Sequence, residues 1–340
     1  MHLKDSLNLL KKLTLKKAVN TFSLWRSYHQ SKNVGYSKIK GKPISIAIEP
    51  TTSCNLRCPE CPSGLRSFSR PVGMLRAETF ENMLLQLKDH LIYMLFYFQG
   101  EPYVNKNFLD LVKIASSHNI YTATSTNAHF LDEETAKKTV ESGLDRLIIS
   151  IDGATQETYE SYRIGGKLEK VLDGTRNLIK WKKALKSSTP HVIFQFLVVR
   201  PNEQDIPQIY ELAEELGVDE VKLKTAQIYD YENGSPLIPN NPKYSRYKKL
   251  ENGLYAIKNK LLNQCWKMWH SCVITWDGRV VPCCFDKDAT HQFGNLNHES
   301  FDDIWKGKSY HDFRNKLLKS RSEIDICTNC TEGTKVWAED

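Results

Sequence analysis

The sequence is short of apolar continuity. Its longest unbroken apolar run is Leu91–Phe98, LIYMLFYF. A bilayer-spanning helix needs roughly 20 such residues, so this run reads as a buried strand. A secretory signal is absent too: the opening MHLKDSLNLLKKLTLKK spreads charge along its length and holds no apolar h-region. No internal repeat or low-complexity tract is visible, which excludes a repeat array. The charge imbalance is also small. A net +7 over 340 residues is the mild basic excess of a soluble surface and argues for no nucleic-acid partner. These absences lead to the expectation of a cytoplasmic protein, and a disulfide framework is not expected in a reducing compartment.

What the chain does hold is nine cysteines, at 54, 58, 61, 265, 272, 283, 284, 327 and 330. They fall into an early triplet and a late group. Clustered cysteines in a reducing compartment read as metal or iron–sulfur ligands. Hydrophobic content of 40% against 26% charged residues is the balance of a globular protein with a sizeable core. The length suggests about two domains.

Four segments differ in pattern. Residues 1–42 carry nine Lys and one Arg against a single acid, Asp5. Leu7, Leu10, Leu13, Val19, Phe22, Leu24 and Trp25 recur there at helical spacing. A basic amphipathic helix can lie on an anionic membrane surface; a helix packed on the core is the plainer alternative. Residues 43–228 alternate strand and helix. Strands are expected at 44–48, 94–98, 120–126, 147–151, 192–199 and 220–225, and helices at 108–117, 133–142, 168–185 and 206–216. Apolar strands alternating with helices indicate a parallel sheet covered by helices. Every polar or Gly-containing motif follows the carboxyl end of a strand, where α/β barrels place their active sites. Six βα units fall short of the eight of a full barrel. The expected fold is therefore α/β, an open, partial (β/α)6 TIM-like barrel. Residues 229–262, with ENGSPLIPNNPKY, read as a linker. Residues 263–340 form a small C-terminal cysteine-rich module.

CNLRCPEC spaces the early triplet as Cys54-x3-Cys58-x2-Cys61, on the loop after the first strand. Three thiolates this close can wrap one face of a 4Fe-4S cubane, leaving one iron open to a small chelating molecule. A zinc site is the alternative, although zinc motifs favour Cys pairs separated by a gap. The triplet resembles the CxxxCxxC signature of the radical S-adenosylmethionine (SAM) superfamily. The resemblance implies that SAM chelates the open iron, that reduction of the cluster cleaves it to methionine and a 5′-deoxyadenosyl radical, and that this radical abstracts hydrogen from a substrate. It also implies an electron donor such as a flavodoxin or ferredoxin. Glu60 stands where the family often has an aromatic residue.

Further motifs follow the next strands. Gln99-Gly100-Glu101-Pro102 resembles the family's GGEP motif. Gly100 would allow close backbone approach, and the Glu101 carboxylate would accept hydrogen bonds from the SAM ammonium. Ser125-Thr126-Asn127 is similar to the family's TN(G) segment, with Ala128 in place of the Gly. Ser150-Ile151-Asp152-Gly153 is similar to SxDG, so Ser150 would contact SAM ribose or carboxylate. Arg163 resembles a family Arg that pairs the SAM carboxylate, a task that suits a guanidinium. For each of these, an ordinary cap or surface ion pair is the plainer alternative.

In the late group, Asp277-Gly278 between VITW and RVVP is a strong hairpin signal. Cys265-x12-Gly278-x4-Cys283, Gly294-Asn295, Ile304-Trp305 and Cys327-x2-Cys330 resemble the SPASM domain, which holds auxiliary iron–sulfur clusters. The longer form of that domain carries seven cysteines and two clusters. Six are present here, and none follows Cys330, which implies one auxiliary 4Fe-4S cluster on Cys265, Cys283, Cys327 and Cys330. Cys284 could replace Cys283, since adjacent strand residues face opposite ways. Cys272 is left over as a ligand, a substrate-facing thiol or core. A structural zinc ribbon is the alternative for the module. The resemblance implies an enzyme acting on a peptide, protein or small molecule. The competing reading is a non-catalytic iron–sulfur carrier or zinc-stabilised binding protein, which leaves the GEP, SxDG and Arg163 set unexplained.

Overall fold

The computed structural model describes residues 3–331 of the chain. Six parallel strands form its centre: β1 (Ser45–Ile48), β2 (Tyr93–Leu95), β3 (Tyr121–Thr126), β4 (Arg146–Ser150), β5 (His191–Val198) and β6 (Glu220–Thr225). Each lies beside its predecessor in the sheet. Helices Ala77–Leu87, Phe108–Ser117, Glu133–Glu141, Leu168–Ala184 and Ile206–Leu216 follow the first five strands in turn. Their sequences explain how they pack. Phe108, Leu111, Val112 and Ala115 recur on one face and are buried; burying the three larger side chains contributes about 1.5–3 kcal/mol each. Asp132 caps the next helix by accepting the Thr135 N–H at 2.8 Å. Strand β5 is buried at seven of its eight positions, as expected of a strand covered on both sides.

The late module does not form a sheet of its own. Its first strand, β9 (Ser271–Ile274), runs parallel to β1, with Ser45 opposite Ser271 and Ile48 opposite Ile274. β10 (Arg279–Val281) returns antiparallel, Val280 facing Ile274, and β11 (Gly294–Asn295) completes a nine-stranded sheet in the order β11-β10-β9-β1-β2-β3-β4-β5-β6. The turn between β9 and β10 contains Gly278 at φ +84°, the left-handed conformation an Asp-Gly turn supplies. Residues 229–262, expected as a linker, carry a two-stranded sheet of β7 (Tyr247–Lys249) and β8 (Tyr255–Ile257).

The N-terminal segment folds as α1 (Leu3–Lys11) and α2 (Leu15–Val34). Asp5 is buried, pairs with Arg146 and accepts the Tyr121 hydroxyl. Asn8 donates to Asp145 at 2.7 Å, and the Lys17 ammonium donates to the Asn119 carbonyl at 2.6 Å. These partners sit at the amino ends of β3 and β4, opposite the motif loops. Tyr28 packs its ring 5.3 Å from Trp266 and 5.2 Å from Trp269. One face of this segment is thus docked on the core, and Leu24 is fully buried. The other face leaves Leu3, Leu15, Val19, Phe22 and Trp25 at least half exposed. Among the described residues no helix is long and apolar enough to cross a membrane.

Candidate active site

The carboxyl ends of the strands surround a cavity of about 590 Å³. Cys54, Cys58 and Cys61 line it together with Gly100, Glu101, Asn127, Ser150 and Arg163. All eight residues singled out in the early part of the sequence therefore reach one chamber, from the loops after β1, β2 and β3, the end of β4 and the stretch that follows it.

The cysteine loop leaves β1 at Ile48. Leu56 N–H points to the Cys54 sulfur at 3.5 Å, and the Arg163 guanidinium approaches the Cys58 sulfur at 3.8 Å. Burial pushes the Cys54 thiol up to about 12 and raises Cys58 as well, Arg163 opposing the second shift. Such thiols lose their protons to a metal, which replaces the missing positive charge. Among the described residues no three His, Cys, Asp or Glu side chains are grouped as a single-ion site. A cubane requires no such grouping, because each thiolate takes a different iron.

Gly100 has φ +74°, and a Cβ there would stand 2.3 Å from the Thr51 carbonyl oxygen. Only glycine permits this approach, which packs the β2 loop on the chain just before the triplet. Its neighbour Glu101 is 3% exposed. One carboxylate oxygen accepts Thr126 Oγ1 at 2.7 Å and the Tyr103 N–H at 3.3 Å; the other accepts the Asn127 N–H at 2.7 Å. Burial still prevails over these bonds and raises Glu101 to about 7. No Lys, Arg or His among the described residues forms an ion pair with it. A buried carboxylate with spare lone pairs, facing a cavity and in direct contact with no cation among the described residues, fits the amino group of a zwitterionic ligand such as SAM.

The remaining expected contacts are more engaged with the protein. Asn127 Nδ2 donates to Asn55 Oδ1 at 2.7 Å. The Ser150 and Ser125 hydroxyls stand 3.4 Å apart. Arg163 pairs with buried Asp152, whose other oxygen accepts the Leu197 N–H at 2.7 Å. The Glu60 carboxylate accepts the Tyr229 N–H at 2.9 Å, drawing the segment after β6 over the cysteine loop.

In the late module, the Arg321 guanidinium donates to the Cys330 sulfur at 3.3 Å. Burial, then Cys330, then Cys265 raise Cys327 to about 12, against Arg321. Burial raises Cys283 well above the ordinary thiol range, with Cys284 and Cys265 adding to it and Lys267 opposing. Cys265 is thus within electrostatic reach of Cys283 and of Cys327, and Cys327 of Cys330. Cys284 is exposed and lines the cavity, its sulfur 3.6 Å from the Lys267 ammonium. Cys272 lies opposite Ile46 in the sheet and is 1% exposed, a core position.

Sequence reasoning left out the cavity's cations. Lys224, Arg246, Lys267 and Lys287 all line it. The signal available was β6 itself, EVKLKT, where Leu223 turns outward into the core and Lys224 faces the chamber. Arg246 had no local signal. Gln195 lines the chamber as well.

Comparison with known proteins agrees with this geometry. Residues 48–213 match the radical SAM superfamily, and residues 265–331 match SPASM, an iron–sulfur cluster-binding domain. The chain belongs to the radical SAM superfamily and carries a C-terminal SPASM domain; its class is that of enzymes that cleave SAM reductively at a 4Fe-4S cluster to generate a 5′-deoxyadenosyl radical. It is similar to the tungsten-containing aldehyde ferredoxin oxidoreductase cofactor-modifying protein of Pyrococcus furiosus, at 26% identity over 321 residues, covering 84% of this chain and 86% of that one. It is 25% identical over 281 residues to the PqqA peptide cyclase of Gluconobacter oxydans, covering 77% and 76%. Streptococcus suis SuiB bound to precursor peptide SuiA shares the fold, with a TM-score of 0.62 and 13% identity over 92% of this chain and 75% of that one.

Proposed function

We propose that Cys54, Cys58 and Cys61 hold the SAM-cleaving cluster, and that Glu101, Asn127, Ser150 and Arg163 orient SAM against it. When bound, the cluster and SAM together supply the radical that takes hydrogen from the substrate. The chain's own part is positioning. Glu101 accepts the amino N–H donors of SAM, Gly100 lets the backbone close in, and Arg163, held by Asp152, presents its remaining donors beside Cys58. The observation that carries this reading is the meeting of three thiols and a buried carboxylate in one chamber. Its volume falls in the usual ~300–1,000 Å³ range of small-molecule pockets. The substrate is accordingly a small molecule, or a single residue of a peptide reaching in; peptide-modifying relatives support the second form. A flavodoxin or ferredoxin would deliver the electron.

We assign the auxiliary cluster to Cys265, Cys283, Cys327 and Cys330, leaving Cys284 in the chamber. The domain limits proposed are residues 43–228 for the SAM-binding core and 263–340 for the auxiliary module; residues 332–340 lie outside the described part. The test combines iron and sulfide analysis after anaerobic reconstitution with a SAM-cleavage assay. About eight irons with 5′-deoxyadenosine formation are expected. Zinc alone without cleavage, or undiminished cleavage by Cys58→Ala, would overturn the assignment.

A peripheral membrane contact is the proposed role of the outward face of α1 and α2. Exposed Leu3, Leu15, Phe22 and Trp25 flanked by lysines are the chemistry of an interfacial helix. Flotation with anionic liposomes should recover the wild-type protein and lose Phe22→Ser/Trp25→Ser; equal recovery would reject the contact.

A further inference from the structure

The SAM reading gives no part to residues 69–73, a strap that follows the Cys54–Cys61 loop in the chain. Groups of the C-terminal module hold it. The Asp288 carboxylate accepts the Ser69 N–H at 2.9 Å and the Arg70 N–H at 3.4 Å, and it takes the Ser69 hydroxyl as well. Arg70 Nε donates to the Lys287 carbonyl at 3.0 Å, and Trp276 Nε1 donates to the Pro71 carbonyl at 3.3 Å. A Cβ on Gly73 would stand 2.5 Å from the Trp276 ring. Lys287 and Asp288 end the short loop that starts at Cys283 and Cys284.

On its other side the strap reaches the SAM face. Arg70 turns both terminal nitrogens onto Glu49, at 2.8 and 2.6 Å, and the two side chains are buried. Glu49 is the residue after β1. The Gly73 carbonyl accepts the Thr52 N–H and the Thr51 hydroxyl, both at 3.1 Å. The same stretch carries the turn at Gly100. The Ser53 carbonyl accepts the Glu101 N–H at 2.8 Å, and the Thr51 carbonyl is the oxygen that only glycine at position 100 can approach. Hydrogen bonds joined by a few residues of chain thus lead from the auxiliary loop to Glu101 and to the segment entering Cys54.

The two mounts of the strap differ. Arg70 and Glu49 form a bidentate pair in the interior, the strongest kind of polar contact. Asp288 is only half-buried and sits five residues after Cys283, so its place depends on how that loop is anchored. A ligand loop is fixed when its metal binds, and packed parts shift between discrete arrangements rather than yielding.

We propose that Asp288 and Arg70 are positioning residues through which the auxiliary module sets the SAM site. With Cys283 tied to its cluster, the loop is seated, the strap is held and Glu101 is in place for the SAM amino group; with the loop unseated, SAM binds more weakly. This rests on the reading of Glu101 as a SAM contact and of Cys283 as an auxiliary ligand. The coupling is mutual, so SAM favours the seated loop by the same factor.

The test is equilibrium dialysis of SAM against reconstituted wild type, Asp288→Ala, Asp288→Asn, Arg70→Lys, Cys327→Ala and Cys327→Ala/Asp288→Ala, each checked for iron content and thermal unfolding. Asp288→Ala should keep about eight irons per chain and bind SAM about fivefold or more weakly. Asp288→Asn retains one acceptor oxygen and should recover part of the loss. Cys327→Ala, with about four irons, should weaken SAM binding to a similar degree, and adding Asp288→Ala should cost little more. Arg70→Lys keeps the charge beside Glu49 but loses the fork that also reaches Lys287. It should weaken SAM binding too, and it keeps the test decisive if Asp288→Ala or Cys327→Ala does not fold. An Asp288→Ala protein that unfolds at lower temperature yet binds SAM like wild type would make the strap a stabilising contact only and overturn the proposal. Effects that multiply in the double variant would overturn it as well. Variants that all bind SAM like wild type refute this inference alone; wild-type protein that does not bind SAM refutes the reading beneath it.

Discussion

Replacing Glu101 with glutamine separates charge from shape on the SAM side of the chamber. In the protein without SAM, burial raises this carboxyl to about 7. The group is therefore mostly ionised at pH 8 and mostly protonated at pH 6. If SAM binds the ionised form, its affinity should fall about tenfold, or about 1.4 kcal/mol, as pH drops across that interval. The sign for stability is the reverse. A carboxyl whose folded value exceeds its unfolded one stabilises the fold at low pH, and that contribution is lost as pH rises toward 7. For a shift of this size the cost at pH 8 is about 3 kcal/mol, which SAM binding would offset. Glu101→Gln removes the ionisation and one acceptor oxygen. It should weaken SAM binding at pH 8 by roughly 1.5–3 kcal/mol, the worth of a charge-assisted hydrogen bond, and flatten the pH dependence that remains. Equilibrium dialysis of SAM against reconstituted protein at the two pH values measures both effects. A wild-type affinity independent of pH, or a glutamine variant that binds SAM like wild type, would refute the role given to Glu101.

Three further outcomes are expected. Gly100→Ala places a methyl group against the Thr51 carbonyl at a positive φ; a loss of roughly 3 kcal/mol in unfolding measurements is expected. Asp5→Ala leaves the largely buried Arg146 guanidinium without its carboxylate and should destabilise the fold by about 3 kcal/mol in thermal or urea unfolding. Cys284→Ala should retain the iron of the auxiliary cluster while Cys283→Ala loses about four irons per chain; the opposite pattern in iron analysis would move the ligand to Cys284.

The parallel core was legible because its signals are local. Strand β6 was expected at 220–225 and the preceding helix at 206–216, and both occupy those residues. Strand β2 was placed late, at 94–98, because LIYMLFYF is apolar throughout and carries no period to mark its edges; the strand is Tyr93–Leu95. The pairing of β9 with β1 could not be read in the same way. It joins residues more than two hundred positions apart, and the pattern SCVI is equally compatible with a separate module. Arg246 illustrates a different limit. In KYSRYKK it resembles any basic surface residue, and only the return of the chain past Thr225 buries it. Residues 1–42 were ambiguous for a physical reason, since the segment has one face docked through Asp5, Asn8 and Tyr28 and another left apolar in solvent.

The join between β9 and β1 has a consequence for how the protein is made. Strand β1 feeds directly into the cysteine loop, yet its outer neighbour is not synthesised until Ile274. At ribosomal rates of about 5–20 residues per second, the edge of β1 waits on the order of 10–45 s for its partner. During that interval the strand beside the future cluster is open to the wrong pairings that exposed edges invite. Completion of the sheet on that side thus waits for the second module. Iron delivered earlier would meet a loop whose strand is paired on one side only.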